Sequence, residues 1–156
     1  MGAPLLVHGI AIATAAVAVV AVVYLTFEGM VALGRAYNRH RRDAGGPVGR
    51  WKVLRLVLGL IALHTVSILV FGSAYWFLLH VPGAGTIEGA SQRASLFDAF
   101  YLSAMTYSTV GFGDLSPRGP IRWVAGTEAL IGLMMVAWSA SFAFVEMSRH
   151  WRDDLR

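Results

Sequence analysis

The sequence of 156 residues has no cysteine, and only 14% of its residues are charged. The absence of cysteine excludes a disulfide framework and any thiol chemistry. Together with a hydrophobic fraction of 56%, the shortage of charge favours a bilayer protein over a soluble globular domain. The sequence also offers no nucleophile–base pair, phosphate-binding loop or metal-ligand cluster, so we do not expect an enzyme.

The net charge of +4 is concentrated at the ends of apolar runs. Seven of the thirteen basic residues lie between Arg35 and Arg55, and three follow Met147. This distribution favours a membrane surface as the partner of the basic residues, and no nucleic acid is expected. The basic segment from Arg35 to Lys52 either holds anionic lipid or acts as the topology signal alone.

Three apolar runs, at residues 4–33, 53–80 and 121–147, exceed the roughly 20 residues that a transmembrane helix requires. A cleaved signal peptide is the alternative for the first run, but the run is long and its start lacks Lys and Arg. Residues 96–108 are too short to span, and the Ser95-x-x-Asp98 pattern before them predicts a helix start.

Residues 109–114, Thr-Val-Gly-Phe-Gly-Asp, alternate two glycines with bulkier residues. Glycine permits backbone conformations that other residues resist, so consecutive carbonyls can point the same way. A row of such carbonyls, with the Thr109 hydroxyl at its inner end, is a ligand set for a bare monovalent cation.

The window from Asp98 to Pro117 resembles the pore loop of potassium channels, whose filters replace the water shell of the ion with backbone oxygens. Residues 53–147 resemble the two-helix pore module of prokaryotic potassium channels. The resemblance implies an all-α membrane protein with three transmembrane helices, a re-entrant pore helix and an extended selectivity filter. It also implies a homotetramer around a central pore, since one copy of the loop cannot enclose an ion.

The resemblance divides the chain into an extra N-terminal transmembrane helix (1–34), a basic cytoplasmic loop (35–52), the pore module (53–147) and a short cytoplasmic tail (148–156). Within the module it implies an outer helix (53–80), the pore helix (96–108), the filter (109–113) and an inner helix (121–147). The first helix lacks the arginine ladder of a voltage sensor, so we expect it to pack against the second helix or lipid.

The resemblance assigns K⁺ binding to the filter and filter support to residues behind it. The ion is held by carbonyls of Thr109, Val110, Gly111 and Phe112, followed by Gly113, and no other cofactor is implied. Tyr101 and Asp114 are assigned to the support of the filter, and Tyr101 is expected to hydrogen-bond to Asp114. Phe112 stands where the family more often has tyrosine, so a bracing hydroxyl is lost.

Polar residues in the helices carry further expectations. Glu128 is predicted as a buried acid bonded to the pore helix or filter backing, with proton sensing as the alternative. His64 is predicted to form an interhelical hydrogen bond with Ser139 or Ser141, with a pH sensor as the alternative.

Gating is expected in the inner helix, the filter, or through pH or lipid. Gly132 lies near the family's hinge position, with tight helix packing as the equal alternative. Gly132, Val136 and Ala140 share a face and are predicted to line the cavity. Glu146 and His150, four residues apart, form either a solvated helix end or a proton-sensitive gate.

The Lys/Arg bias places the first loop and the C-terminus in the cytoplasm and the N-terminus outside. The composition, rich in Arg over Lys, suggests a bacterial protein of the plasma (inner) membrane. The sequence thus predicts a passive potassium-selective channel; the alternatives are a weakly selective cation channel and a non-conducting membrane subunit with a pore fold.

Overall fold

The structure, a computed structural model, describes residues 2–43, 50–90 and 94–154, with side chains for residues 4–37, 51, 53–90 and 94–148. The described elements follow one another as helices α1, α2, α3 and α4 with two short strands between them. Their bounds are α1 Gly2–Asp43, α2 Arg50–Leu79, β1 Thr86–Glu88, α3 Leu96–Tyr107, β2 Ser116–Arg118 and α4 Arg122–Asp154.

Three of the helices are long and apolar enough to cross a membrane, at Pro4–Tyr37, Val53–Leu79 and Arg122–Ser148. This finding confirms the predicted all-α membrane fold with three transmembrane helices. The fourth helix, α3, has 12 residues. At 1.5 Å per residue it is about 18 Å long, which is too short to cross the roughly 30 Å hydrocarbon core.

The helices extend further than their apolar runs. The loop predicted at 35–52 is largely helical, because α1 continues to Asp43 and α2 begins at Arg50. Likewise the predicted tail at 148–156 continues α4 to Asp154. The helical parts of these segments, residues 35–43, 50–52 and 148–154, contain neither Gly nor Pro. The charged residues therefore mark where the apolar part of a helix stops, and the helix itself continues beyond that position.

A two-stranded antiparallel sheet, which the sequence analysis missed, joins the segments before and after α3. β1 pairs with β2 in the register Ile87 opposite Pro117. The side chains of the two strands also form an ion pair, in which the Arg118 Nε donates to Glu88 Oε2 at 2.7 Å. Gly89 follows β1 and has φ of 93°. Its backbone lies so close to that of Asp114 that a Cβ there would collide with the Asp114 carbonyl oxygen.

Helix α1 packs along α2 through reciprocal glycine contacts. A Cβ at Gly29 would overlap the Leu63 side chain of α2, and a Cβ at Gly59 would lie 2.5 Å from the Leu33 side chain of α1. Small residues that let helices approach closely are typical of helix pairs in membranes. The prediction that the extra helix packs against the second helix is confirmed.

Helix α3 lies between α2 and α4. Its start is fixed by a capping box, in which the Ser95 side chain accepts from the Asp98 backbone and the Asp98 carboxylate accepts from the Ser95 N–H. This confirms the helix start predicted from the sequence. On α2, Gly72 leaves room for the Phe100 ring and backbone, so the two helices lie in close contact.

Candidate functional site

The segment predicted to bind ions leaves the C-terminal end of α3. Ser108 caps that helix, with its N–H directed at the carbonyls of Ala104 and Thr106. The Thr109 N–H donates to the Thr106 carbonyl at 3.0 Å, and the Gly111 N–H donates to the Met105 carbonyl at 3.2 Å. The first half of the segment is therefore anchored to the last turn of α3.

The backbone of residues 109–113 alternates between two regions of conformational space. Thr109, Gly111 and Gly113 have φ of 59°, 49° and 81°, whereas Val110 and Phe112 are not in the left-handed region. Among the described residues, Thr109 is the one non-glycine residue with positive φ. This alternation is the conformation that the sequence predicted for Gly111 and Gly113, and it permits successive carbonyls to share one side.

Within the protomer, conformation and not lack of space explains the two glycines. A Cβ at Gly111 or Gly113 would meet no described heavy atom within 4 Å. At positive φ, however, a side chain costs an L-residue roughly 1–2 kcal/mol. The predicted requirement for glycine thus follows from backbone geometry alone.

The segment lies on the surface of the protomer. Val110 is 53% exposed and Phe112 is 72% exposed. Between the segment and α3 is a cavity of about 130 Å³, lined on the helix side by Tyr101, Met105 and Thr106. A single protomer therefore leaves both faces of the segment open.

Tyr101 and Asp114 both line the cavity behind the filter segment. Asp114 lies near enough to Tyr101 to raise the pKa of the tyrosine above its ordinary value, and the hydrogen bond expected between them stays a prediction. The Tyr101 ring also stacks on Phe97, with centroids 6.3 Å apart and planes inclined by 16°. The cavity thus brings a side chain of α3 close to the residue that follows the filter segment.

Glu128 is fully buried and joins three helices. Its Oε2 accepts from the Tyr75 hydroxyl of α2 at 2.6 Å, and its Oε1 accepts from the Ser103 hydroxyl of α3 at 2.5 Å. The predicted hydrogen bond between this acid and the pore helix is confirmed. Tyr75 and Ser103 were not predicted as partners, because a hydroxyl in an apolar run does not indicate which acid it meets.

His64 also joins three helices, closer to the filter. Its Nε2 lies 2.8 Å from the Ser139 hydroxyl of α4, which confirms the predicted interhelical hydrogen bond. Its Nδ1 lies 3.0 Å from the Tyr107 hydroxyl of α3, a contact that the sequence analysis missed. The depth of Ser139 was readable from helix rise, whereas the position of Tyr107 depends on how α3 folds back.

The structure places Gly132 tightly against α3, which agrees with the alternative of close helix packing and not with the predicted cavity face. A Cβ there would lie 2.9 Å from the Tyr107 carbonyl carbon and closer to its oxygen. Val136 and Ala140 are exposed, so their place in the cavity lining stays a prediction. The three residues of the predicted face do not stay aligned along α4, because each step of four residues turns the helix by about 400°, which is 40° more than one full turn.

The remaining gate and lipid residues are partly described. Glu146 is 5% exposed, so it does not belong to a solvated helix end. The side chain of His150 lies outside the described residues. In the basic segment, Arg35 is exposed, and the side chains of residues 38–50 and Lys52 lie outside the described part of the chain.

Comparison with known proteins gives a family match and partial relatives. The profile of a family described as "Ion channel" matches residues 63–149, which include α3, the filter segment and most of α4. Protein LctB of Bacillus caldotenax is 37% identical over 84 residues, covering 50% of this chain and 62% of that protein. No solved structure matches the chain significantly.

Two further relatives are named as potassium channels. An inward rectifier potassium channel of Paramagnetospirillum magnetotacticum is 35% identical over 78 residues, covering 49% of this chain and 26% of the relative. Potassium channel subfamily T member 1 of Gallus gallus is 29% identical over 94 residues, covering 60% and 7%. The chain thus spans about three-fifths of LctB and a minor part of the two channels.

Proposed function

The chain belongs to the ion channel family, and from this premise we propose that it is a potassium-selective channel, not an enzyme, that conducts K⁺ passively across the membrane. The observation that carries the proposal is the alternation of φ at residues 109–113, which can present a row of carbonyl oxygens to one side. Two of the relatives are themselves named as potassium channels.

In the proposed filter, K⁺ exchanges its water shell for protein oxygens. The ligands are the backbone carbonyls of Thr109, Val110, Gly111 and Phe112, with the Thr109 hydroxyl at the inner end. The capped C-terminal end of α3 directs its negative dipole towards the approaching ion. Tyr101 and Asp114 hold the outer end, and Glu128 acts further back by fixing α3.

We propose that the working form is a homotetramer. One filter segment offers oxygens on one side of an ion, so several copies must surround a common axis. The exposure of Val110 and Phe112 in the single protomer supports such a contact. Apolar side chains of the inner helix α4 are also uncovered and would meet neighbouring copies or the cavity; they include Leu133, Met134 and Val136.

We further propose an inner-membrane location with the N-terminus outside and the C-terminus cytoplasmic. The start of α1 lies at the filter end of the molecule, where the Trp123 Nε1 donates to His8 Nδ1 at 3.3 Å. An outward-facing filter therefore implies an outward N-terminus. The basic segment Arg35–Lys52 then meets the cytoplasmic leaflet, where anionic lipid is its proposed ligand.

The test is ion flux through purified protein in liposomes of stated lipid composition. Vesicles loaded with K⁺, Rb⁺ or Na⁺ are compared at equal protein content, with empty vesicles as the control. Passage of K⁺ and Rb⁺ with exclusion of Na⁺ supports the proposal. Equal passage of all three indicates a weakly selective cation channel, and no passage by a folded tetramer indicates a non-conducting subunit. Adding phosphatidylglycerol tests the lipid proposal in the same assay.

A further inference from the structure

Tyr107 is the last residue of α3 and stands two residues before Thr109, the first residue of the filter segment. It is 2% exposed, and both its backbone and its side chain are held by other helices. Gly132 of α4 packs against its backbone, and His64 of α2 contacts its hydroxyl. The position of Tyr107 therefore sets where the filter begins.

The directions of the hydrogen bonds at His64 follow from the partners of Ser139. The Ser139 hydroxyl donates to the Val136 carbonyl at 2.9 Å, so its oxygen is left to accept. The Nε2–H of His64 must then donate to Ser139, at 2.8 Å. In the neutral ring the other nitrogen, Nδ1, is an acceptor, and the Tyr107 hydroxyl donates to it at 3.0 Å. One directed chain of hydrogen bonds thus runs from α3 through α2 to α4.

Tyr107 is consequently attached to α4 at two points. Gly132 touches its backbone directly, and Ser139 reaches its hydroxyl through His64. The two points on α4 are seven residues apart, which is about two helical turns, or about 10 Å. A bend of α4 between them would move Ser139 relative to Gly132 and so disturb either the hydrogen-bond chain or Tyr107 itself.

We propose that His64 is a positioning residue that transmits the setting of inner helix α4 to the C-terminal end of α3 and hence to the start of the filter. The inference rests on the proposed function, because it assumes that ions pass along residues 109–113. His64 itself contacts neither that segment nor, in the described structure, an ion-binding oxygen. Its role is to keep Tyr107, and with it Thr109, in a position that depends on the position of α4.

The first experiment measures the K⁺/Na⁺ permeability ratio in liposomes for variants along the chain. His64→Leu, Tyr107→Phe and Ser139→Ala each remove a link, and each is expected to change the ratio by roughly two- to tenfold, the worth of one hydrogen bond. The Tyr107→Phe, Ser139→Ala double variant should change it no further than either single variant. Additive effects of the two would overturn the proposal.

His64→Gln separates positioning from simple packing. Glutamine retains a donor and an acceptor at the end of its side chain, whereas leucine fills the space with neither. We expect the Gln variant to return within about twofold of the wild type. Ser73→Ala is the matched control, because it removes a hydroxyl from α2 that bonds back to the Leu69 carbonyl of the same helix. If Gln and Leu behave alike, or if Ser73→Ala shifts the ratio equally, the inference is wrong.

A second readout does not depend on conduction. The N–H groups of Thr109 and Gly111 are bonded to carbonyls in the last turn of α3, so their hydrogen exchange reports how firmly the filter is anchored. Exchange should be faster by roughly two- to tenfold in His64→Leu and unchanged in Ser73→Ala. If wild-type vesicles carry no K⁺, the proposed function fails, and this measurement still decides the inference. Unchanged exchange in His64→Leu would overturn it.

Discussion

Replacing Gly111 by alanine tests whether the left-handed backbone of the filter is required. Gly111 has φ of 49°, and a Cβ there would meet no described heavy atom within 4 Å. Within the protomer the added methyl group therefore has room, and its cost is conformational. At roughly 1–2 kcal/mol for an L-residue in this region, the four subunits of the proposed tetramer would together bear about 4–8 kcal/mol.

Gly126 provides a control with the opposite backbone. It lies within α4, and a Cβ there also meets no described heavy atom within 4 Å. Alanine is favoured over glycine in a helix by about 1 kcal/mol, so Gly126→Ala should leave the protein as stable or more stable. The two variants add the same methyl group to equally open sites and differ in the φ of the residue.

The assay is K⁺ flux in liposomes, together with thermal unfolding in detergent to confirm that each variant is folded. Since 1.4 kcal/mol corresponds to a tenfold change, a cost of about 4–8 kcal/mol predicts that Gly111→Ala lowers K⁺ flux by at least about 10³-fold. Gly126→Ala should conduct at the wild-type rate. Wild-type flux and ion discrimination in Gly111→Ala would refute the argument from backbone conformation, and equal losses in both variants would indicate general damage.

Three further changes test the packing around the site by unfolding in detergent. Glu128→Leu leaves the buried Tyr75 hydroxyl without its acceptor, whereas Ser103 can still donate to the Ile68 carbonyl, so it should cost about 1–3 kcal/mol. Glu128→Gln keeps one acceptor and should cost less; equal losses would contradict the hydrogen-bond network. Gly59→Leu overfills the site that receives Leu33 and should destabilise by about 1–3 kcal/mol, so an unchanged midpoint would contradict close α1–α2 packing. Arg118→Ala breaks an exposed ion pair with Glu88 and should change stability by less than about 1 kcal/mol, and a larger loss would show that the pair is not screened.

The features that the sequence predicted depend on local chemistry. The capping box at Ser95 and the glycine alternation at 111 and 113 are encoded within a few residues, and the structure shows both. The pairing of His64 with Ser139 was accessible because helix rise alone fixes their relative depth. Each of these needs little knowledge of how distant segments meet.

The features that the sequence did not predict depend on contacts between distant segments. For Gly132 a hinge and tight helix packing were equal alternatives, and its partner in that packing, Tyr107, follows from the path by which α3 returns to α4. The strand β1 has three residues and forms because β2 lies beside it. A short strand without its partner has no pattern of its own to reveal it.

The pairing of β1 with β2 joins the segment before α3 to the segment that follows residues 109–113. Both ends of the excursion are therefore held within the same protomer. In the proposed tetramer, each subunit would bring this pairing already formed. The two strands thus hold the ends of the excursion together, while its helix α3 depends on α2 and α4 for its position.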